Sequence, residues 1–166
     1  GLLRLGLTGG SVSDSLDPAV IEDVMPININ WQLRNCLIEF DHKGNLVPEL
    51  AESWDSTPDA AKWTLKLRKG VEFHNGKSMT AEDVIYSLNY HREENSKSIA
   101  RTLLKPVNDI RADGQYTVVI QLDQGNADFP AILTDFRLVI VPHGTTDFDK
   151  GMGTGGYILE EFEPGV

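Results

Sequence analysis

The stretch KWTLKLRKG (62–70) constrains the fold of this chain more than any other segment. In it, apolar Trp63, Leu65 and Leu67 alternate with polar or charged residues. Side chains alternate between the two faces of a strand, so the pattern predicts a strand with one face in the core and one in water. Such a strand is typical of an antiparallel sheet that is covered on one side only.

A long helix is predicted after that strand, over TAEDVIYSLNYHRE (80–93). Thr80 is a favourable N-cap residue, and the two carboxylates that follow it complement the helix dipole. Apolar residues recur at helical spacing and predict a buried stripe. This stripe consists of Val84, Ile85 and Leu88.

A hairpin is predicted over VNDIRADGQYTVVIQLD (107–123), because Asp113-Gly114 is a strong two-residue turn signal. The second arm alternates and predicts a buried face made of Tyr116, Val118, Ile120 and Leu122.

Shorter elements complete the middle of the chain. INWQLRNCLIEF (29–40) predicts a short helix that passes into a strand, and DHKGN (41–45) predicts a turn. FPAIL (129–133) predicts a short helix with a proline near its start, and RLVIV (137–141) predicts a strand. Strands and helices are mixed along the chain, which indicates an α/β fold.

The two ends of the chain also read as strands, LLRLGL (2–7) and YILEEFEPG (157–165). Neither has an obvious partner in the sequence, so each would present an unpaired edge. We therefore expect the two strands to pair with each other or with a second copy of the chain, which would give a dimer.

Composition narrows the class of protein. The chain has 166 residues, of which 40% are hydrophobic and 24% charged, as in a globular domain. The net charge of −10 argues against nucleic acid, whose phosphates need a basic face, and leaves no polybasic anchor for an anionic membrane. The single cysteine, Cys36, excludes an internal disulfide and a metal site of paired cysteines.

No catalytic constellation is found. His74 lies in the loop FHNG, and the four histidines of the chain are scattered without metal-ligand spacing, so His74 is predicted to be a turn residue. GMGTGGY (151–157) lacks the lysine and the helix of a phosphate loop. Glu160 and Glu161 are adjacent in a predicted strand and would point to opposite faces. These observations favour a binding module without a cofactor over an enzyme.

The segment 46–92 resembles the extracytoplasmic solute-binding protein family 5, the peptide-, dipeptide- and nickel-binding subunits of ABC importers. The resemblance rests on LAESW (50–54), WTLKLRKGVEFHNG (63–76) and TAEDVIYS (80–87), and on SLDP (15–18) near the start. GTGGY (153–157) is similar to the GTGPY-like turn of the family, with Gly156 where proline is usual.

The resemblance implies a type II periplasmic-binding-protein fold that is present only in part. By it, residues 1–36 begin a first large lobe, 37–150 form a small inserted lobe of mixed sheet, 151–166 return to the first lobe, and a downstream lobe is absent. His74 would occupy a strand-to-helix turn of the family and be structural.

The same resemblance implies a periplasmic protein, exported although GLLRLGLTGG is too short and strand-like for a signal peptide. Such a protein would capture a solute, most often an oligopeptide, and deliver it to the membrane permease subunits of an ABC importer. A nickel chelate or a sugar stays open as the solute. So does a different role, a standalone interaction or assembly module that reuses the small lobe.

Ligand-facing residues are assigned by position within the family. Asp23, Val24 and Met25 lie where members bring the early chain to the cleft, the alternative being an ordinary surface loop. Arg101 lies where some members face the cleft, the alternative being a solvated helix face. Arg137 would hold a ligand carboxylate with two parallel hydrogen bonds, the alternative being a surface salt bridge to Asp135 or Asp128.

Overall fold

The computed structural model describes residues 3–165. Its main layer is a four-stranded antiparallel sheet, with a two-stranded ribbon beside it and the helices around it. The elements are α1 (Val24–Leu33), β1 (Ile38–Phe40), β2 (Leu46–Pro48), β3 (Ala51–Ser56), β4 (Lys62–Leu67), α2 (Ala81–Arg92), β5 (Val107–Ala112), β6 (Thr117–Leu122) and α3 (Phe129–Ile132). Two short 3-10 helices, Ile99–Thr102 and Phe148–Lys150, lie in the connections.

The strand predicted from the alternating pattern lies inside the sheet, whose order is β3-β4-β6-β5. Trp63, Leu65 and Leu67 are buried, while the lysines between and before them are exposed. Across the pair with β6, Leu65 lies opposite Val118. The prediction of a sheet with one wet face is confirmed.

The helix prediction is also confirmed. Thr80 is the N-cap of α2 and forms a capping box with Asp83, whose carboxylate accepts from the Thr80 amide at 2.8 Å and from the Thr80 hydroxyl at 3.1 Å. α2 packs on β5 and β6. Val84 and Leu88 are fully buried, while Ile85 is only partly buried, because the buried face is centred on the other side of the stripe, at Ser87 and His91.

The hairpin formed by β5 and β6 is confirmed with one correction to its turn. The connection takes four residues, 113–116, and it is closed by the Asp113 amide, which donates to the Thr117 carbonyl at 2.9 Å. Gly114 has a φ of +82°, a conformation that residues with a Cβ rarely adopt.

The prediction of a strand over 137–141 is wrong. The segment is buried, but it forms no strand pairing, because its backbone bonds other groups instead. The Ile140 amide donates to the Asn35 carbonyl at 3.0 Å, and the Val141 amide donates to the Ser87 hydroxyl at 2.9 Å. β2 and β3 are strands that the sequence reading missed.

The prediction of a strand at each end of the chain is wrong as well. Residues 3–7 and 157–163 are irregular and find no ladder partner in the part of the chain that the structure describes, and Leu2 lies outside it. Their apolar side chains reach water, with Leu3 75% and Ile158 68% exposed. The dimer expected from their pairing stays a prediction.

The main apolar cluster is drawn from buried residues between Leu37 and Ile140. It lies between the inner face of the sheet and α2, with α3 at one end. The division into lobes at 36 and 150 stays a prediction. Within residues 3–165, no helix is long and apolar enough to cross a membrane.

Candidate functional site

A buried arginine connects α1 to two distant parts of the chain. Arg34 is 1% exposed, and all its hydrogen-bond partners are oxygen atoms without formal charge. It donates to the carbonyls of Leu16 at 2.5 Å, Phe148 at 2.6 Å and Met152 at 3.1 Å, and to the Asn30 side-chain oxygen at 3.0 Å. We call these five residues the Arg34 junction.

The charge of Arg34 is balanced from a distance. Burial lowers the pKa of Arg34 to about 10, and the carboxylates of Asp17 and Asp149 oppose that shift. Asp149 itself accepts from the Ser15 hydroxyl at 2.8 Å and the Leu16 amide at 2.7 Å. The loop before α1 is therefore held to segment 148–152 by both a cation and an anion.

The GTGGY turn packs against the end of α1. The Gly155 amide donates to the Leu33 carbonyl at 2.9 Å, and a Cβ on Gly153 would lie 2.1 Å from that same oxygen. A ring nitrogen of His74 bonds the Gly155 carbonyl at 2.9 Å, and the His74 amide donates to the Gly153 carbonyl at 3.0 Å. His74 therefore lies in a turn, as predicted, and also fastens a second turn to it.

The predicted residues Asp23, Val24 and Met25 lie at the start of α1. Asp23 occupies the N-cap position, is exposed and makes no side-chain capping bond. Val24 is 56% exposed. Met25 lines an open groove of about 500 Å³ between α1 and the N-terminal segment, whose other walls are Leu5, Gly6, Leu7, Asn28, Ile29 and Gln32.

Arg137 lies in the turn after α3, beside α1. Its guanidinium stacks on the Phe136 ring at 4.0 Å from the centroid, and its Nη1 reaches both Asp135 oxygens at 3.4 Å. The side chain is 17% exposed, and its buried Nε has no hydrogen-bond partner among residues 3–165. The ion pair with Asp135 is therefore long and leaves the guanidinium with unused donors.

Arg101 lies elsewhere, in the 3-10 helix Ile99–Thr102, and it is exposed. It lines a groove with Arg92 and Lys105. The five predicted ligand-facing residues thus do not line one pocket. Asp23 to Met25 share one end of α1, Arg137 lies beside that helix, and Arg101 lines a separate groove.

α1 and the turn that carries Arg137 are fixed to each other. The Asn30 side-chain amide donates to the Phe136 carbonyl at 2.9 Å, and the Cys36 thiol donates to the Asp135 carbonyl at 3.3 Å. Both contacts are at least half-buried. The relative position of α1 and Arg137 is therefore set within this chain.

The family model for the middle part of the bacterial extracellular solute-binding proteins, family 5, matches residues 45–166. The chain belongs to this family. The periplasmic oligopeptide-binding protein OppA of Haemophilus influenzae is 31% identical to it over 131 residues, 69% of this chain and 24% of the relative.

Solved structures of family 5 relatives superpose on most of the chain. Haemophilus influenzae OppA in complex with RPPGFSPFR matches 93% of this chain and 35% of its own, with a TM-score of 0.83 and 26% identity. A nickel ABC transporter protein from Bacillus halodurans matches 94% and 31%, with a TM-score of 0.80 and 35% identity. The chain thus spans about a quarter to a third of these proteins, and the predicted mixed α/β binding-protein fold is confirmed.

Membership in family 5 also confirms the prediction of a non-enzymatic binding protein, because the family consists of substrate-binding proteins of ABC transporters. Within residues 3–165, no group of three or more His, Cys, Asp or Glu side chains is placed to hold a metal ion. Cys36 is fully buried, and burial raises the pKa of its thiol far above the usual range, so it lies in the packed interior as a neutral group.

The sequence reading missed Arg34, although one signal was present. Arg34 is the single charge in the otherwise apolar or amide-rich run 24–38. Because a charged residue within such a run must either reach water or be fully hydrogen-bonded, its position pointed to a buried polar contact. Three of the four partners are backbone carbonyls far away in sequence, and these carry no residue-type signal.

Proposed function

We propose that the protein is part of a periplasmic solute-binding protein that captures an oligopeptide and delivers it to the membrane permease subunits of an ABC importer. The observation that carries the proposal is membership in family 5 together with the similarity to OppA, which is named as a periplasmic oligopeptide-binding protein. The peptide complex of a relative that superposes on 93% of this chain supports the same solute class.

Within this chain, the start of α1 and Arg137 are the proposed ligand-facing groups. Asp23 and Asn30 are seven residues apart, which is about 10 Å along a helix at 1.5 Å per residue. Asn30 is bonded to the turn that carries Arg137. An extended peptide advances about 3.3 Å per residue, so about three residues would cover the rise from Asp23 to Asn30.

Arg137 is suited to a terminal carboxylate. Its planar donor fork can give two parallel hydrogen bonds to a carboxylate, a geometry that lysine cannot reproduce. The Phe136 ring holds the guanidinium plane in place, and the 3.4 Å contacts with Asp135 are too long to use its donors fully. In a chain of net charge −10, this cation also reduces the repulsion of an anionic ligand end.

A nickel complex is the second candidate. The Bacillus halodurans nickel ABC transporter protein is 35% identical to this chain across almost its whole length, a higher identity than that of the OppA peptide complex. A chelated metal presents carboxylates of its chelator, so the same guanidinium would suit it.

The solute class is tested by thermal shift of the full-length protein against separate pools of di- to nonapeptides, nickel chelates and sugars. A ligand that binds only the folded protein raises the melting temperature, and the stabilisation grows with the logarithm of the ligand excess over the dissociation constant. We expect a rise with at least one peptide pool and none with the others. The oligopeptide proposal would be refuted if only nickel chelates raised the melting temperature, or if no peptide pool raised it.

The carboxylate clamp is tested separately by Arg137→Lys in the full-length protein. The matched control is Arg111→Lys, because Arg111 also pairs with an aspartate two residues earlier, Asp109, on the exposed face of the sheet. We expect Arg137→Lys to weaken binding of a free-acid peptide by about 1.5–3 kcal/mol. With an amidated peptide, most of this difference between wild type and Arg137→Lys should disappear. Equal ratios of free-acid to amide affinity in wild type and Arg137→Lys would exclude the clamp.

A further inference from the structure

A basic groove lies between the end of α2, the 3-10 helix Ile99–Thr102 and the start of β5. It has a volume of about 430 Å³ and is open to water on one side. Its lining consists of Arg92, Arg101, Thr102, Leu104, Lys105 and Val107. We infer that this basic groove is a docking site for an acidic, extended segment of a protein partner.

The charge pattern is the first observation. The protein has 25 acidic and 15 basic residues, yet three of the six lining residues are cations and no carboxylate lines the groove. None of the three forms an ion pair with an aspartate or glutamate of residues 3–165. In an acidic protein a cation is easily neutralised by a neighbour, so three unpaired cations around one concavity concentrate positive potential there.

The second observation is the way the groove is built. Arg92 is held in place, since its guanidinium donates to the Val107 carbonyl at 2.6 Å, the Asn108 carbonyl at 3.2 Å and the Asn89 side-chain oxygen at 2.6 Å. Arg101 and Lys105 stand on the rim and are exposed. One cation is thus prearranged at the wall, while two free cations can adjust to an incoming carboxylate.

The floor of the groove is apolar, because Leu104 and Val107 are both buried side chains that close it from below. A segment that fits must therefore bring carboxylates for the rim and a small apolar side chain for the floor. An extended acidic peptide does this, since its alternate side chains point to opposite sides.

The shape selects a protein segment over other anions. Sites for small molecules enclose most of the ligand surface, whereas this groove is open along one side. An anionic membrane is broad and would face the whole surface of a protein with net charge −10. A protruding acidic segment can reach the three cations without bringing the rest of the partner close, and it gains both orientation and association rate.

The test uses fluorescence anisotropy with full-length protein and a labelled probe, the acetylated and amidated pentapeptide EELEE. The double variant Arg101→Gln with Lys105→Gln removes the rim cations and leaves the structural Arg92 intact. The matched control, Lys43→Gln with Lys66→Gln, removes the same charge from two exposed sites outside the groove. We expect the groove variant to bind EELEE about three- to tenfold more weakly, the control to bind it as wild type does, and the peptide QQLQQ not to bind.

Four results would overturn the proposal. Equal weakening in the control variant would mean that only net charge matters. Full displacement of EELEE by inorganic phosphate would assign the groove to a small anion. If EELEE did not bind, and wild type bound anionic vesicles while the groove variant did not, the groove would be assigned to a membrane. Displacement of EELEE by the solute found in the thermal-shift screen would place the probe in the solute site. The solute shift of the single variant Lys105→Gln, expected to equal that of wild type, keeps this outcome separate from the solute proposal.

Discussion

The sheet with α2 and the Arg34 junction are stabilised in different ways. In the sheet, apolar side chains of neighbouring strands fill the space under α2, and each contributes in proportion to the area that it buries. In the Arg34 junction, one guanidinium satisfies three carbonyls from two distant segments. The stability lost on truncating a side chain in the sheet should therefore increase with the volume removed. The stability lost on mutation in the junction should depend instead on a few polar atoms.

The difference bears on function because α1 belongs to the junction. Its start carries Asp23 to Met25, its end carries Arg34, and its middle is bonded to the Arg137 turn. The sheet supplies the stable body, and the junction determines where the proposed ligand-facing residues point.

The largest expected effect is that of Arg34→Met, which keeps an unbranched apolar stem and removes the guanidinium. Three buried carbonyls lose their donor, so the free energy of opening of the junction should fall by about 3–5 kcal/mol. Native-state hydrogen exchange measures it at the Gly155 amide, which bonds the end of α1. Amides of β4 and β6 should lose less.

Arg111→Met is the control for Arg34→Met, because Arg111 is exposed and pairs only with Asp109. It should change stability by less than about 1 kcal/mol. The junction is not a separate unit if both variants lose the same stability. The same conclusion holds if the free energy of opening falls as much at the β4 amides as at the Gly155 amide.

Leu65→Ala is the complementary change in the sheet. Leu65 is fully buried in β4, and the truncation removes transfer free energy and leaves a cavity, so global unfolding should cost about 3 kcal/mol less. Urea unfolding gives this value. The Gly155 amide should keep nearly its wild-type opening free energy, and an equal loss there would contradict the comparison.

Acid stability tests the contact between α2 and the turn that carries Arg137, where His91 bonds the Ser98 hydroxyl at 2.5 Å and the backbone of Arg137. Burial lowers the pKa of His91 from 6.5 to about 4. The unfolded state therefore binds the extra proton first, so the stabilisation is complete above pH 6.5 and is lost as pH falls towards 4. The loss should be at most about 3 kcal/mol.

The control for His91 is His91→Gln, which should flatten the stability curve between pH 6.5 and 4. Asp83 acts in a lower range. Burial opposes its ionisation, but hydrogen bonds from Lys77 and from the backbone of His143 and Thr80 hold its pKa below the usual value, so its contribution is lost only as pH falls through that lowered pKa. An unchanged acid loss in His91→Gln would assign the effect to other groups.

The smallest of these effects is expected in the glycine turn. Gly153→Ala places a Cβ 2.1 Å from the Leu33 carbonyl, and the turn must move away from α1 at a cost of about 1–3 kcal/mol. Gly156→Ala is a matched control three residues on, with no atom within 4 Å of the new Cβ. Thermal melting of the two variants separates crowding by the new Cβ from the loss of glycine flexibility that both variants share. Equal melting temperatures would rule out crowding.

The sequence was a better guide to the sheet than to the junction, and the reason is physical. The alternation around Leu65 and the cap at Thr80 are local signals, and both elements form where they were predicted. Segment 137–141 is as apolar as a strand, but its backbone is taken by Asn35 and Ser87. Three of the four partners of Arg34 are backbone carbonyls, which every residue carries, so no pattern could identify those three.

The site was predictable only in part for the same reason. The start of α1 and Arg137 were assigned by family resemblance, and what ties α1 to the turn that carries Arg137 is a pair of contacts from Asn30 and Cys36 to backbone carbonyls. Arg101 was assigned to a cleft-facing position of the small lobe. The 3-10 helix that carries it packs on α2, so Arg101 lines the basic groove, and its role towards the solute stays a prediction.

The central claim is that the start of α1, held by the Arg34 junction, faces the solute. Its most direct test is the dissociation constant of the full-length protein for its best peptide, measured by calorimetry for wild type, for the double variant Asp23→Asn with Met25→Ala, and for Glu22→Gln. Glu22 is exposed and adjacent, so its change removes the same charge as Asp23→Asn. We predict weaker binding in the double variant, unchanged binding in Glu22→Gln, and equal melting temperatures without ligand. Wild-type affinity in the double variant would contradict the claim.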